Sequence, residues 1–326
     1  MITDEEYLLS NAISQSKLKK ILTHPSNYLE DSSDSEFDEP KANIIIGDGV
    51  DILLTQNEDV FFEQFHISTV ERPTGQMGDY VWSLFINKNN PDAEEIAYHE
   101  AGFKRDTLEK VKERFKSEGA IYFYDLVNGE NKTVISPQQF TQIQVAKETL
   151  LTHRFTAKYF RNNERYEVKY QVPIYFNYEG TPCKGLIDLV IIDKETKTLY
   201  PVDIKTTGYR LDSWIGNFWS LRYDIQAAFY SYGLNTMLEK FGCEKLGNFK
   251  FIVVNQTKPE NPLIFQVSDE ILNFGEVGGK KISVEYEGFR QAIARVKWHT
   301  ENDLWDYRME DYLNNGVRTI NLPTLN

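Results

Sequence analysis

The sequence predicts an α/β protein with a mixed central β-sheet flanked by helices. Three observations predict it. Apolar residues recur at helical spacing through the N-terminal part of the chain. Alternation of period two replaces that spacing between residues 167 and 206. Helical spacing then returns over 222–240, followed by two short apolar strands and a charged helix.

The elements follow in order. Residues 14–29 (SQSKLKKILTHPSNYL) read as a short helix, capped by Ser14 or Ser16 and ended or interrupted at Pro25. The acidic stretch 30–41 is too poor in apolar residues to pack and reads as a mobile loop. A second helix is expected near Ile46, with Ile46, Val50, Leu53 and Leu54 on one side. Residues 56–135 are less informative beyond a charged, solvated helix over 104–118. Ser136-Pro137 starts a long helix expected to reach Phe160, because proline at the first helical position lacks only a donor that has no partner there. Val168, Tyr170, Val172, Ile174 and Phe176 then alternate with more polar residues along one half-buried strand. EGTP at 179–182 and DKETK at 193–197 are turns, so 167–178, 183–192 and 198–206 form an antiparallel meander. Strands near 249–255 and 263–268 and a helix over 282–302 complete the chain.

Composition narrows the function. The 326 residues contain 41% hydrophobic residues, enough for a sizeable core. No apolar run reaches the ~18 residues of a membrane span, and the start of the chain lacks the basic and apolar segments of a signal peptide. The expectation is a soluble protein of the cytoplasm, or of the host cytoplasm if phage-encoded, with no membrane partner. The two cysteines, Cys183 and Cys243, make no disulfide framework and cannot supply the four thiolates of an iron–sulfur cluster. A net charge of −13 argues against non-specific coating of nucleic acid, which needs clustered cations. It leaves room for an enzyme that grips DNA locally and uses acids to hold a metal.

The chemistry centres on Asp203-Ile204-Lys205. Residues i and i+2 of a strand share a face, so Asp203 and Lys205 emerge together. Asp188 lies on the preceding strand, and a turn centred on 193–197 brings it beside Asp203. Two carboxylates and an ammonium then converge on one patch that suits a hard divalent cation such as Mg²⁺. Such a cation lowers the pKa of water and stabilises charge on a phosphate. Lys205 is placed to orient that water and offset the developing charge. Glu167, opening the first strand, is a third candidate carboxylate. Gln226 and Tyr230 are four residues apart and share a helix face that could meet the site. Alone, each of these features is ordinary: an Asp-x-Lys on a strand is commonly a solvated ion pair. Their joint order is what points to catalysis.

That order resembles the PD-(D/E)XK nuclease superfamily in its RecB-type branch. GLID at 185–188 is similar to the second motif, VDIKTTG at 202–208 to the third, and QAAFY at 226–230 to the branch-specific Gln-x-x-x-Tyr. The resemblance extends to the RecE/exonuclease VIII-like group through ISQSKLKKILTHPSNY at 13–28, the helix before Glu167, FIVVNQTKPENPLIFQV at 251–267, Trp305 and TINLP at 319–323. It implies a restriction-endonuclease-like core in a single nuclease domain over 1–326, with an insertion at 56–135. It also implies Mg²⁺- or Mn²⁺-dependent hydrolysis of DNA. The metal would be held by Asp188, Asp203, Glu167 and the Ile204 carbonyl, with Gln226 and Tyr230 orienting the site. Exonuclease action on duplex ends, a homo-oligomeric ring, a single-strand annealing partner and a place in phage-type recombination or repair follow as family expectations. A structure-specific endonuclease and a catalytically silent DNA- or protein-binding module are the alternatives.

One position departs from the resemblance. The family's early helix carries a metal-binding His four residues after a Gly. Here Gly47 is followed at that spacing by Asp51, either a harder donor that would favour Mg²⁺ or a surface acid near a helix start. Lys17, Lys19, Lys20, Lys147, Arg154, Lys158, Arg161, Arg210 and Arg222 are candidates for a DNA groove. Trp214 and Trp219 are candidates for stacking on a DNA end or for core packing.

Overall fold

The computed structural model describes residues 11–29, 41–129, 131–258 and 260–320. The loop expected over 30–41 thus falls almost wholly outside the described residues, as does the end of the TINLP segment. The described residues open with β1 (Ile13–Ser14) and α1 (Gln15–Thr23). Ser14, not Ser16, caps α1, accepting from the Lys17 amide. There follow α2 (Ala42–Thr55), α3 (Glu58–Gln64), β2 (Phe65–Ile67), α4 (Gln76–Ile86), α5 (Ala93–Glu100), α6 (Leu108–Glu118), α7 (Ala120–Asn128) and β3 (Thr133–Ile135). Helix α8 (Pro137–Thr152) begins in a capping box of Ser136 and Gln139. It ends eight residues before Phe160, the expected terminus. The buried Thr156 hydroxyl donates to the Leu150 carbonyl and stops the helix there.

The meander forms as expected from β4 (Tyr166–Tyr178), β5 (Thr181–Asp193) and β6 (Thr198–Thr207), all antiparallel. After α9 (Trp214–Ser220) and α10 (Tyr223–Asn235), the chain returns through β7 (Lys245–Leu246) to β8 (Lys250–Asn255), which is parallel to β6. A helical crossover is what permits a parallel neighbour. β9 (Leu263–Gln266) closes the edge antiparallel to β8. The order is β4-β5-β6-β8-β9, with β1 pairing the first half of β5 beyond the end of β6. This is the mixed sheet the sequence predicts. The C-terminal part holds α11 (Asp269–Val277), a hairpin of β10 (Gly279–Lys281) and β11 (Val284–Tyr286), α12 (Phe289–Asn302) and α13 (Met309–Leu313). The helix expected from Ile282 therefore starts seven residues later, because 279–286 pair as a hairpin. The Ser268 cap of α11 is a start signal that the sequence carries and the expected strand 263–268 hid.

Two apolar layers sandwich the sheet. Phe229, Phe249, Phe251, Phe289 and Leu18 belong to one, bringing in α10, α12 and α1. Val50, Leu53, Ile143 and Leu150 of α2 and α8 cover the other face, over Leu189, Val202 and Ile252. Residues 77–126 form a third cluster of their own around Tyr80, Val81 and Val111. Among the described residues, no helix is long and apolar enough to cross a membrane.

Candidate active site

The site sits where β4, β5 and β6 meet α2 and α10. Register places it. The turn after Asp193 pairs Asp193 with Thr198 and Leu189 with Val202, so Asp188 and Asp203 follow as the next opposed positions. The ladder opens there, and Asp188 Oδ2 accepts from the Ile204 amide at 2.6 Å. Ile204 thus enters the site through its N–H.

The β4–β5 hairpin sets a second position. Tyr170 pairs with Leu189 and Val172 with Ile187, so Gln171 stands opposite Asp188. Both strands exchange faces at this point. Val168 and Tyr170 pack in the α2/α8 layer, whereas Val172, Ile174 and Phe176 pack in the α10/α12 layer. The single half-buried face expected for this strand is therefore two half-faces. Gln171 makes the switch in the left-handed region, at φ 46°. Its Nε2 donates to Asp51 Oδ2 at 2.8 Å and to Thr55 Oγ1 at 3.0 Å.

Glu167 is not in this cluster, which corrects the expectation for the third carboxylate. It pairs opposite Ile192, four residues from Gln171, or roughly 13 Å along the strand. There it makes an ion pair with Lys169 at 2.7 Å, and that contact holds its carboxyl below the usual range. Gln171 takes the place assigned to it. The turn at 179–180 carried the signal: counting back from it in a two-residue hairpin leads from Asp188 to Gln171.

Asp51 does reach the site. A Cβ on Gly47 would stand 3.3 Å from Thr206 Oγ1, so α2 runs close over β6, and Asp51 projects one turn further on. Its carboxyl is pushed up to about 6, by burial first and then by the Asp203 charge, against the opposing effects of Gln171 and Lys205. Asp188 is raised well above the usual range by burial, then by Asp203 and Asp51. Lys205 Nζ lies 2.5 Å from Asp203 Oδ2. Burial alone would lower its pKa, but Asp203 and Asp188 outweigh burial and hold it above the normal range. Gln226 Nε2 donates to Asp203 Oδ1 at 2.6 Å. Tyr230, one turn on, is buried against Gly185, where a Cβ would come within 2.7 Å of its ring. It supports the backbone leading to Asp188.

Two further residues border the site. Lys205 and Lys19 have their Nζ atoms 5.0 and 5.2 Å from the centroid of the Tyr223 ring. Burial, then the Lys205 charge, pushes Lys19 down to about 7. Tyr223 was legible as the residue three before Gln226 on the same helix face. The other cations have separate surroundings. Arg222 is engaged by the fully buried Asp224 and the Glu287 carbonyl, Arg210 by Asp212, and Lys147 by Glu58. Trp214 is a core residue stacked on Tyr223, and Trp219 packs edge-on to Phe274.

The donor set fits a hard divalent cation. Asp51 and Asp188 both feel the charge of Asp203, and Asp188 that of Asp51, so the three repel one another while Lys205 offsets part of that charge. Asp51 Oδ1 is buried without a hydrogen-bond partner among the described residues, an orphaned acceptor of the kind a cation satisfies. No group of three His, Cys, Asp or Glu side chains is drawn together as a ready-made cage among those residues. In this arrangement Asp203 is held by Lys205 and Gln226.

Fold and acid–lysine cluster together define a PDDEXK-like domain. Residues 98–308, more than half the chain, match the family described as PDDEXK-like domain of unknown function (DUF3799), and the chain belongs to that family. The fold is similar to the crystal structure of a protein from Eubacterium rectale described as a "Putative exonuclease". The TM-score is 0.52 at 15% identity, covering 100% of this chain and 96% of that one. A likeness at that identity concerns the fold alone. A second structure, SSO0001, gives a TM-score of 0.22 at 13% identity over 51% of this chain and 65% of its own, which carries no argument. No curated protein sequence matches.

Proposed function

We propose that this chain is a metal-dependent deoxyribonuclease. The observation that carries the reading is the meeting of Asp51, Asp188 and Asp203 with Lys205 at the point where the sheet changes faces. Asp51, Asp188 and Asp203 would hold Mg²⁺ or Mn²⁺, the Ile204 carbonyl remaining a further candidate ligand. When bound, such a cation lowers the pKa of water and offsets phosphate charge. Gln226 fixes the Asp203 carboxylate, and Gln171 fixes Asp51. Lys205, held protonated by its acidic neighbours, donates to a phosphate oxygen or to the attacking water. Tyr230 braces β5 beneath Asp188.

Exonuclease action on duplex ends, in phage-type recombination or repair, is the finer reading. It rests on the motif resemblance to the RecE-like group, with the name given to the Eubacterium rectale protein as support. A ring-shaped oligomer, an annealing-protein partner, a cytoplasmic location and an insertion at 56–135 belong to the same reading. A second reading, a silent DNA- or protein-binding module, is favoured by one observation: Gln171, not a carboxylate, stands opposite Asp188.

The test is digestion of end-labelled linear duplex beside a closed circle, with Mg²⁺ or Mn²⁺, for wild type and Lys205→Ala. Metal-dependent loss of linear DNA only, reduced at least a hundredfold in Lys205→Ala, supports the exonuclease. Cutting of the circle selects an endonuclease. A folded wild type that cleaves neither substrate with either metal leaves the binding module.

A further inference from the structure

A second feature lies outside the acid cluster. A cleft of about 540 Å³ opens at the far end of β5 and β6, beside the turn that follows α8. Arg154, Lys158, Arg161 and Lys250 line it, together with Tyr159, Tyr166 and Tyr200. The chain carries 49 acids against 36 lysines and arginines, so a cluster of four cations is expected to attract acidic partners. Among the described residues none of the four makes an ion pair. Their neighbour Arg165, by contrast, is engaged by both Asp193 and Glu195. The four instead rest near aromatic rings or backbone. Lys250 stands 4.8 Å from the Tyr200 centroid, Lys158 5.3 Å from Tyr159 and Arg154 4.9 Å from Phe155. Burial, then the charge of Lys158, lowers the pKa of Lys250, so the like charges are close enough to repel. Four cations without an ion pair among the described residues make this cleft a candidate for an anion.

We propose that this cleft binds the phosphodiester backbone of a single nucleic-acid strand. Ile191 and Tyr200 line the cleft three residues along β5 and β6 from Asp188 and Asp203, about 10 Å in the strand direction, with Tyr200 in the α2/α8 layer and Asp203 turned to Gln226 of α10. The chemistry of the cleft supports a polynucleotide over a small anion: cations interleaved with tyrosines suit phosphates alternating with bases, whose faces stack on aromatic rings. The path of the strand towards Asp188 and Asp203 rests on the nuclease reading; binding in the cleft does not.

The test measures binding of a fluorescein-labelled oligothymidylate by anisotropy, in EDTA, across a salt series. The variants are Arg154→Ala/Lys158→Ala/Arg161→Ala, the charge-keeping Arg154→Lys/Lys158→Arg/Arg161→Lys, and Lys205→Ala. The alanine variant should bind at least about tenfold more weakly. Its salt slope should flatten by about 2, at roughly 0.7 per lost phosphate contact on a single strand. The charge-keeping variant should stay within about threefold of wild type, which excludes loss of folding as the cause. Lys205→Ala should keep most of the slope. The proposal is overturned if the alanine variant binds as wild type does, or if wild type does not bind the oligonucleotide. It is also overturned if pyrophosphate displaces the strand at equal phosphate concentration, which would make the cleft a small-anion site. Oligonucleotide binding lost in the alanine variant, in a protein that cleaves no DNA, would uphold the cleft while refuting the nuclease.

Discussion

Replacing Asp51 by Asn should make the metal-free protein more stable at pH 8 relative to pH 4. In the folded chain Asp51 titrates at about 6, against 3.8 for the free group. Below about pH 4 the carboxyl is protonated in both states and burial costs no charge. Between about 4 and 6 the folded state holds a proton that the unfolded state releases, so stability falls as pH rises. Above about 6 the loss is complete, with a ceiling of roughly 3 kcal/mol from the 2.2-unit shift at 1.36 kcal/mol per unit. Asparagine cannot ionise and escapes this loss. It still accepts from Gln171, and its amide group replaces the oxygen that has no partner, a cost independent of pH. The difference between pH 8 and pH 4 therefore isolates the electrostatic part. With an unfolding entropy of roughly 0.7 kcal/mol/K for a chain of this length, 3 kcal/mol is about 4 °C in Tm. The assay is thermal unfolding in EDTA, reading the Tm of Asp51→Asn minus that of wild type at each pH. A difference that is the same at both pH values, or larger at pH 4, would refute the crowding of acids on which the metal site is argued. Adding Mg²⁺ at pH 8 should then raise wild type more than Asp51→Asn, because a cation that binds only the folded state stabilises it.

Three further outcomes follow from the same geometry. Gln171→Glu removes a donor to Asp51 and adds a like charge, so it should lower Tm in EDTA by at least about 3 °C. Its gain on adding Mg²⁺ should exceed that of wild type; equal gains in calorimetric or melting titrations would place residue 171 outside the metal's reach. Gly185→Ala drives a Cβ to within 2.7 Å of the Tyr230 ring and should cost about 1–3 kcal/mol. A denaturation midpoint unchanged from wild type would mean that Tyr230 does not brace β5. Arg165, above all, holds the Asp193 carboxyl down to about 2. A depressed acid contributes stability that is present above about 3.8 and is lost as pH falls towards 2. Wild type should lose stability across that window, and Asp193→Asn should melt lower at pH 7 with a shallower acid slope; parallel acid slopes would assign the loss to other groups.

Much of the site was legible in the chain because short-range geometry decides it. The i, i+2 rule places Asp203 with Lys205, and the turn at 193–197 sets Asp188 beside them. The i, i+4 rule joins Gln226 to Tyr230, and Gln226 reaches Asp203. Glu167 shows the limit. It has the right residue type in the right strand, but the hairpin turn at 179–180 fixes a register that carries it roughly 13 Å past the site. The change of faces at Gln171 was hidden for a related reason: unbroken alternation looks the same whether it fills one core or passes from one to another.

The sequence by itself thus determined the antiparallel meander, the helix that follows it and the acid–lysine motif, all of which depend on periodicity and turns within a few residues. Only the tertiary structure decided which helices cover the sheet, that β8 runs parallel to β6, and that Asp51 and Lys19 arrive at the site from elements over 130 residues away in the chain. It also decided that Arg222 is tied into the interior while Arg154, Lys158, Arg161 and Lys250 gather without an ion pair among the described residues. A residue's charge is written in the sequence. Whether that charge meets a partner, a like charge or water depends on packing between distant segments, which no local rule encodes.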